Sequence, residues 1–395
     1  MNRNSIITAA ALTLVAAGLL LAGPLNPPAG PVTSTYKTLT EVEPRIAINA
    51  TNTPGDADAT PSTFKITSPG SYYLTSNLVV GIGRNGIEIT GSGVTIDLNG
   101  FQISGFGSLS AIMTSSTAIE RIAIRNGQIV LCGSGIILSG IPGVAVENVN
   151  VEGCLSGDGI AVGNNSRVSN CIAKSNQGTG IAVGSGSIVG GCVASINGIG
   201  IAAGAGSTVT ACTAFGNTGN GISTGDGSTV TGCTARSNTG NGIAAGLGST
   251  VAGCTARLNN GNGIVAGNGS TVAGCTAASN TGNGIQVDGD CRVTDNTCES
   301  NGFGTGTGAG IYATGGDNRI EGNNCVDADR GIDVDGNGNI IIKNTCSGNT
   351  LNWDIATDNY YGPIINRTGV ATAAVNGSAA ASTLATTDPH ANFTY

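Results

Sequence analysis

The side chains most able to do chemistry lie in the last third of the chain, where carboxylates recur around one arginine and one tyrosine. They are Asp288, Asp290, Tyr312, Asp327, Asp329, Arg330, Asp333 and Asp335. Carboxylate oxygens are the ligands that Ca²⁺ prefers, and a guanidinium can hold the carboxylate of an acidic sugar through paired hydrogen bonds. The residue types therefore indicate a calcium site or an acidic-sugar site, with an acidic face in contact with solvent as the alternative.

These residues can act together only if the fold stacks them, and the sequence contains a repeat that would do so. The phrase GNGISTGDGSTVTGCTARSNT, which starts at Gly219, returns with few changes from Gly240 and again from Gly261. Such a short, regular period is typical of a solenoid. Stacked strands place equivalent residues of neighbouring coils about 4.8 Å apart. The repeat thus converts each recurring residue type into a column along the molecule.

In this register two columns carry the acidic residues. Asp288 and Asp335 occupy one column two coils apart, and Tyr312 lies in the column of Asp333 on the intervening coil. We therefore predict a substrate-binding group that comprises Asp288, Tyr312, Arg330, Asp333 and Asp335. Its three carboxylates, Asp288, Asp333 and Asp335, are the candidate ligands of Ca²⁺.

A second candidate site is a column of positive charge that faces outward. Lys174, Arg236 and Arg257 share one position of the repeat, and the two arginines stand on adjacent coils. Cations in this arrangement could bind the carboxylates of uronate sugars. The alternative is that they are exposed charges that keep the protein soluble.

The 12 cysteines also follow the repeat. One column comprises Cys171, Cys192, Cys212, Cys233, Cys254 and Cys275 and continues as Asn296, Asn323 and Asn344. At that switch cysteine moves to the column of Ala277, as Cys298, Cys325 and Cys346, while Cys132 and Cys154 form a separate, earlier pair. A neighbouring column of asparagines, Asn176, Asn197, Asn217, Asn238, Asn259, Asn280 and Asn301, predicts turns braced by side-chain amides.

Three roles are open for the cysteines. They can fill a narrow core as small apolar side chains. They can form disulfides, because neighbours one coil apart fall within the Cα separation of roughly 4.4–6.8 Å that disulfides require. Metal binding is the third role, although a straight column does not supply a tetrahedral ligand set. The candidate disulfide partners are Cys132, Cys154, Cys171, Cys192, Cys212, Cys233, Cys254, Cys275, Cys325 and Cys346.

Composition and charge narrow the class of protein. The 395 residues include 66 glycines, and aromatic residues make up only 4%. Few large side chains are therefore available for one deep core, whereas a narrow solenoid interior can be filled by Ile, Val, Ala and Cys. The net charge of −8 argues against nucleic acid or an anionic membrane surface as a partner. It is compatible with neutral glycans or calcium.

The two ends of the chain differ from the repeat. Residues 1–22 resemble a signal peptide, with Arg3 before an apolar run and small residues after it. No second apolar run is long enough to cross a bilayer. We expect a protein that is secreted, periplasmic or on the cell surface. We also expect a linker or extended arm over 23–61, the repeat region with its N-terminal cap over 62–365, and a tail over 366–395.

Each copy of the repeat predicts strands. It holds three short β-branched segments separated by Gly and Asn turns, which suits strands better than helices. In the copy that starts at Gly219, Ile222, Val230, Cys233 and Ala235 are the expected inward residues. Gly-Ile pairs mark about a dozen such coils along the chain.

Several phrases resemble those of a known family. The stretch VTIDLNG at Val94–Gly100, together with the later IEGNNC, IIKNTC and GIDV, is similar to coil repeats of right-handed parallel β-helix proteins of the pectin-lyase-like superfamily. The resemblance implies an all-β, right-handed parallel β-helix with a cap at each end. It also implies a polysaccharide as the partner class, because enzymes of the superfamily cleave polysaccharides.

The catalytic apparatus of that superfamily is not matched. Its hydrolases use clustered aspartates beside a histidine, whereas the one histidine here, His390, lies in the tail and no Asp-Asp pair occurs. If the protein is an enzyme, a polysaccharide lyase is therefore favoured over a glycoside hydrolase, and no catalytic residue is assigned. We expect an exported protein that binds, and could cleave, an extracellular polysaccharide. The alternative is a non-catalytic structural or adhesive surface protein.

Overall fold

The chain folds into a solenoid of parallel strands. The computed structural model describes residues 45–302, 306–366 and 387–394. In these ranges there are 42 strands, numbered here β1–β42 along the chain, and no helix. The predicted signal peptide over 1–22 lies outside the described residues. The parallel pairing of strands from successive coils confirms the predicted β-helix.

Each coil has three faces, and face 1 carries one strand of every coil. Its 14 strands are each paired in parallel with the next along one sheet, so the solenoid has 14 coils. The strands of face 1 are β2 (Ser62–Ile66), β5 (Asn85–Ile89), β8 (Ser110–Met113), β10 (Ser134–Leu138), β12 (Ile160–Val162), β15 (Ile181–Val183), β18 (Ile201–Ala203), β21 (Ile222–Thr224), β24 (Ile243–Ala245), β27 (Ile264–Ala266), β30 (Ile285–Val287), β33 (Ala309–Ala313), β36 (Arg330–Val334) and β39 (Leu351–Ile355).

Faces 2 and 3 are joined into one sheet of 28 strands, because β9 and β11 run without a break from one face to the other. Face 2 holds β1 (Ile46–Ala47), β3 (Gly70–Tyr73), β6 (Val94–Asp97), β9 (Ile122–Val130), β11 (Ala145–Glu152), β13 (Arg167–Ser169), β16 (Ile188–Gly190), β19 (Thr208–Thr210), β22 (Thr229–Thr231), β25 (Thr250–Ala252), β28 (Thr271–Ala273), β31 (Arg292–Thr294), β34 (Arg319–Glu321), β37 (Ile340–Ile342) and β40 (Tyr360–Tyr361). Face 3 adds β4 (Leu78–Val79), β7 (Gln102–Ser104), β14 (Ile172–Lys174), β17 (Val193–Ser195), β20 (Thr213–Phe215), β23 (Thr234–Arg236), β26 (Thr255–Arg257), β29 (Thr276–Ala278), β32 (Thr297–Glu299), β35 (Asn324–Val326), β38 (Thr345–Ser347), β41 (Ile364–Asn366) and β42 (Asn392–Thr394).

The core is a narrow column of Ile, Val, Ala and Cys side chains. The predicted inward residues Ile222, Val230, Cys233 and Ala235 are all fully or almost fully buried. Between face 2 and face 3 a single residue in the left-handed region bends the chain, as Gly232 does with φ of 60°. Glycine adopts this conformation without strain, and the bend points the following Cys233 into the core.

Three ladders of polar or sulfur-bearing side chains brace the turns. In the predicted asparagine ladder, Asn217 Nδ2 donates to Asn238 Oδ1 at 2.9 Å, and the pattern repeats from coil to coil. The structure also contains a serine ladder that the sequence did not reveal, in which Ser207 N donates to Ser228 Oγ at 3.2 Å. Its members are Ser166, Ser187, Ser207, Ser228, Ser249 and Ser270, followed by Cys291 and Asn318. The cysteine column switches to Asn296 as predicted.

The two ends of the solenoid differ from the predicted boundaries. Within the predicted arm, β1 pairs with β3, so the solenoid begins at Ile46 rather than at Ser62. The segment predicted as the N-terminal cap forms β2, β3 and β4 of the first coil. Within the predicted tail, β42 pairs with both β38 and β41. In both places the added strand supplies partners to backbone groups that the terminal coil would otherwise leave unpaired.

In the described part of the chain, no helix is long and apolar enough to span a bilayer.

Candidate functional site

One outward column of face 1 changes character along the molecule. Its members, in coil order, are Lys65, Glu88, Met113, Ile137, Ala161, Ala182, Ala202, Ser223, Ala244, Val265, Gln286, Tyr312, Asp333 and Asp354. The central coils present small uncharged side chains. The last four members are polar, and Tyr312 lies beside Asp333 as the register predicted.

Three polar contacts hold this end of the column together. The Tyr312 hydroxyl donates to Asp335 Oδ2 at 2.6 Å. Arg330 donates through one terminal nitrogen to Asp333 Oδ2 at 2.7 Å, and its Nε lies 3.1 Å from Asp354 Oδ2. Asp354 was not predicted as a site residue. It stands one coil beyond Asp333 in the same column, so the register alone could have identified it.

Tyr312, Arg330 and Asp333 border an open depression of about 470 Å³ on face 1. We call it the Tyr312 site, and its lining residues are Thr281, Gly282, Asn283, Thr307, Gly308, Tyr312, Arg330 and Asp333. The lining combines an aromatic ring with carboxylate, hydroxyl and amide oxygens. The aromatic ring offers a face for stacking, and the oxygens are hydrogen-bond acceptors for sugar hydroxyls.

The titration of the site follows from these contacts. The hydrogen bond to Asp335 raises the pKa of Tyr312 to about 12. Burial raises the pKa of Asp333 above its usual range, against the opposing effect of Arg330. Arg330 is held charged, since the contact with Asp333 raises its pKa further. At neutral pH Tyr312 is therefore a hydrogen-bond donor and a poor general base.

We expect Tyr312 to ionise well above the usual range of a tyrosine in an ultraviolet pH titration. Its phenolate signal should appear near pH 12, because phenolate formation places a second negative charge beside Asp335. The contact stabilises the protonated form, so its contribution to stability is present below pH 10 and lost as the pH rises through 12. Asp335→Asn should bring the transition down toward 10, with Tyr312→Phe identifying the signal. An unchanged transition in Asp335→Asn would contradict the assignment.

The predicted calcium ligands are not brought together. Asp288 shares its column with Thr314 and accepts a hydrogen bond from that hydroxyl at 3.1 Å, which leaves a full coil between it and Asp335. Among the described residues, the acidic group with all ligand oxygens within 4.8 Å of one another is Asp56, Asp58 and Glu88. Lys65 Nζ lies 2.5 Å, 3.2 Å and 3.3 Å from these three carboxylates and neutralises part of their charge. Calcium binding at Asp288, Asp333 and Asp335 stays a prediction.

The predicted basic column exists on face 3, although its members have different surroundings. Lys174 is paired with Glu152 at 2.7 Å. Arg236 lies over the ring of Phe215, with the guanidinium carbon 5.2 Å from the ring centre. Arg257 is adjacent to Arg236 on the next coil. The two arginines are exposed and form a second, separate candidate site.

All 12 cysteines are buried free thiols in this structure. The predicted column from Cys171 to Cys275 is present on consecutive coils, as is the shorter column of Cys298, Cys325 and Cys346. Cys132 and Cys154 stand at the head of the asparagine ladder, where Cys154 N donates to Asn176 Oδ1 at 3.0 Å. The disulfide assignment stays a prediction that a thiol count can check.

Comparison with known proteins agrees with the fold. The sequence matches the family described as "Right handed beta helix region" over residues 64–205 and 197–351. None of the curated proteins matches the sequence significantly. Among solved structures, the A-module of the mannuronan C-5 epimerase AlgE6 of Azotobacter vinelandii aligns with a TM-score of 0.50 and 14% identity, covering 75% of this chain and 91% of the module.

Two other solved structures align with lower scores. The periplasmic alginate epimerase AlgG has a TM-score of 0.44 and 13% identity, with 82% of this chain and 80% of the epimerase covered. The Dettilon tailspike protein has a TM-score of 0.45 and 15% identity, with 75% of this chain and 66% of the tailspike covered. At these identities the likeness concerns the fold.

Proposed function

The chain belongs to the right-handed beta helix family, and we propose that it is an exported member of that family that binds an extracellular polysaccharide at the Tyr312 site. The observation that carries the proposal is the lining of that site, where Tyr312 stands beside Asp333 in an open depression on face 1. That a protein sharing the fold is a mannuronan C-5 epimerase supports a polysaccharide as the class of ligand.

The charges favour sugar hydroxyls over sugar carboxylates as the recognised groups. Arg330 forms ion pairs with Asp333 and Asp354, so its one positive charge is outweighed by two negative charges in the absence of a ligand. Asp335 adds a third carboxylate through Tyr312. A uronate carboxylate would be repelled by this surplus of negative charge, whereas neutral hydroxyls can donate to the carboxylate oxygens. The ligand we propose for this site is a neutral polysaccharide, or an acidic one bridged by Ca²⁺.

Binding is a better description of this site than cleavage. With a pKa raised to about 12, Tyr312 does not supply the base that a lyase reaction needs at neutral pH. His390 lies in the short C-terminal segment, where its Nδ1 is 3.2 Å from Asp388 Oδ1. It does not line the depression. Lyase activity stays a prediction, to be checked by following the ultraviolet absorbance of unsaturated uronate products.

Glycan binding by matched variants tests the proposal. We expect Tyr312→Ala to weaken binding of a neutral polysaccharide by about tenfold, because the stacking surface and its hydroxyl are both removed. Tyr361→Ala is the control, since this exposed tyrosine lies on a different face of the last coil. Isothermal titration with neutral and uronate polysaccharides, each with and without Ca²⁺ and chelator, measures the effect.

The outcomes separate the candidate sites. Equal losses in Tyr312→Ala and Tyr361→Ala, or no binding by the wild-type protein to any glycan, would overturn the proposal. Binding of uronates that is lost in Arg236→Ala and kept in Tyr312→Ala would move the site to the arginines of face 3.

A non-catalytic structural or adhesive role is the second candidate. The observation in its favour is the small, uncharged surface of the central coils on face 1, from Ala161 to Val265. Such a face suits lateral packing against a flat partner. Self-association or cell attachment by a protein that binds no glycan would decide for this role.

A further inference from the structure

The longest cysteine column is a continuous line of thiols inside the protein. We call Cys171, Cys192, Cys212, Cys233, Cys254 and Cys275 the cysteine ladder. Each of these residues is about 1% exposed, and each occupies the same corner of consecutive coils. The backbone N–H of Cys233 points at the sulfur of Cys254 at 3.4 Å, and the same contact recurs at 3.5 Å from Cys171 to Cys192, from Cys212 to Cys233 and from Cys254 to Cys275. The sulfurs therefore all lie on the same side of the coil.

The spacing of the ladder fits one type of metal coordination. Parallel strands place equivalent atoms of neighbouring coils about 4.7–4.9 Å apart. Twice a metal–thiolate bond of about 2.3 Å is roughly 4.6 Å. A cation midway between two neighbouring sulfurs would therefore have two ligands in line at normal bond lengths. A line of sulfurs offers Zn²⁺ no tetrahedron, whereas soft monovalent d¹⁰ cations accept two thiolates in line.

We propose that the cysteine ladder is a binding site for soft monovalent metal ions, Cu(I) or Ag(I), held between the sulfurs of successive coils. Loading is a proton exchange with no change of oxidation state. One S–H bond breaks, one S–M bond forms, and a proton leaves to solvent for each ion bound. The second contact of the ion is a lone pair of the neighbouring sulfur. Each ion thus replaces one proton, and the interior gains no net charge.

The corner that covers the ladder is thin. The residue before each ladder cysteine lies in the left-handed region and is exposed, and in four coils it is a glycine: Gly191, Gly232, Gly253 and Gly274. At these four coils the residue that turns the corner beside the thiol carries no side chain. We expect an ion to enter at these corners through local opening of a single turn.

Silver titration of the reduced, folded protein tests the proposal, because Ag(I) is stable in air-free buffer and has the same preference for thiolates. Six sulfurs in line have five gaps. Cys233→Val interrupts two gaps and should lower Ag(I) uptake, measured by native mass spectrometry, by about two ions per chain. Valine already occupies this column at Val149, one coil before Cys171, so the variant is expected to fold.

A graded variant and a control complete the design. Cys275→Asn extends the natural switch to Asn296 by one coil and should remove about one ion. Cys291→Ser is the control: Cys291 is equally buried, but its column neighbours are Ser270 and Asn318, so uptake should not change. Circular dichroism monitors the fold throughout.

Three results would overturn the proposal. The first is equal Ag(I) uptake by the wild type and both ladder variants, and the second is uptake only when the circular dichroism signal is lost. The third is that the ladder cysteines show no free thiols even after treatment with a reductant. The shorter column of Cys298, Cys325 and Cys346 is unchanged in all variants and cancels in the comparison.

Discussion

Replacing Asn238 by alanine is expected to lower the free energy of unfolding by about 3–5 kcal/mol, because it breaks a buried ladder in its middle. The side-chain oxygen Oδ1 of Asn238 accepts from the backbone N–H of Asn217 at 3.1 Å and from the Asn217 side-chain amide at 2.9 Å. The Asn238 amide in turn donates to Asn259 and to the Ala214 carbonyl. Alanine leaves two donors of Asn217 without a partner in the dry interior, at a cost of about 1–3 kcal/mol each.

Asn260→Ala is the matched control for this prediction. Asn260 lies on the next coil, directly after the ladder residue Asn259, and is exposed, so its replacement should change stability by no more than about 0.5 kcal/mol. Urea denaturation followed by circular dichroism measures both variants. Because coils of a solenoid unfold as coupled neighbours, hydrogen exchange should also show faster opening around the variant coil. Equal stability of the two variants would contradict the role assigned to the ladder.

The second large effect is expected at the glycine of the Gly-Ile pair. A Cβ atom on Gly242 would lie 2.6 Å from the Gly263 carbonyl oxygen and 2.7 Å from the side-chain nitrogen of Asn259. Neither atom can move freely, since one belongs to the next backbone and the other to the asparagine ladder. Gly242→Ala is therefore expected to cost about 3 kcal/mol or more in the free energy of unfolding.

Gly253→Ala separates this steric cause from backbone strain. Gly253 has φ of 60°, and a Cβ atom added to it would have no other atom within 4 Å. Alanine at this position therefore costs only the strain of the left-handed conformation, about 1–2 kcal/mol in the free energy of unfolding. Ala211 adopts that conformation at the equivalent corner with φ of 51°. Urea midpoints of the two variants provide the measurement. A larger loss for Gly253→Ala than for Gly242→Ala would reverse the assignment.

The fold could be predicted from the sequence because each coil repeats the same pattern of inward residues and turns. Ile after Gly, Val in the second segment and Cys after the corner recur in register, and stacking requires that such residues share a column. Tyr312 and Asp333 could be paired across two coils for the same reason. The serine ladder was missed because serine is common in loops, and nothing in its type distinguishes an inward hydroxyl from an exposed one.

The contacts of the charged residues could not be predicted in the same way. The register of a column determines which residues are neighbours. The partner of a long side chain depends in addition on the charges around it and on the length of the side chain. Arg330 turns to Asp333 and Asp354, and Lys174 to Glu152. The calcium prediction rested on Asp288 and Asp335 sharing a column, and the intervening coil places Thr314 between them. The ends also escaped prediction, since β1 and β42 have no repeat pattern and gain their structure from the coil that they cover.

The near-identity of the coils between Gly219 and Asn280 makes the length of the molecule adjustable. Gly242 of one copy packs against Gly263 of the next, and the asparagine and serine ladders continue through both copies. Deleting one complete copy would therefore join residues that already fit one another, with every column still in line. It would shorten the distance between the first coil and the Tyr312 site by about 4.8 Å. Recombination between such copies during evolution would lengthen or shorten the solenoid by whole coils. The distance between its two ends would change in steps of about 4.8 Å, and the structure of each end would stay the same.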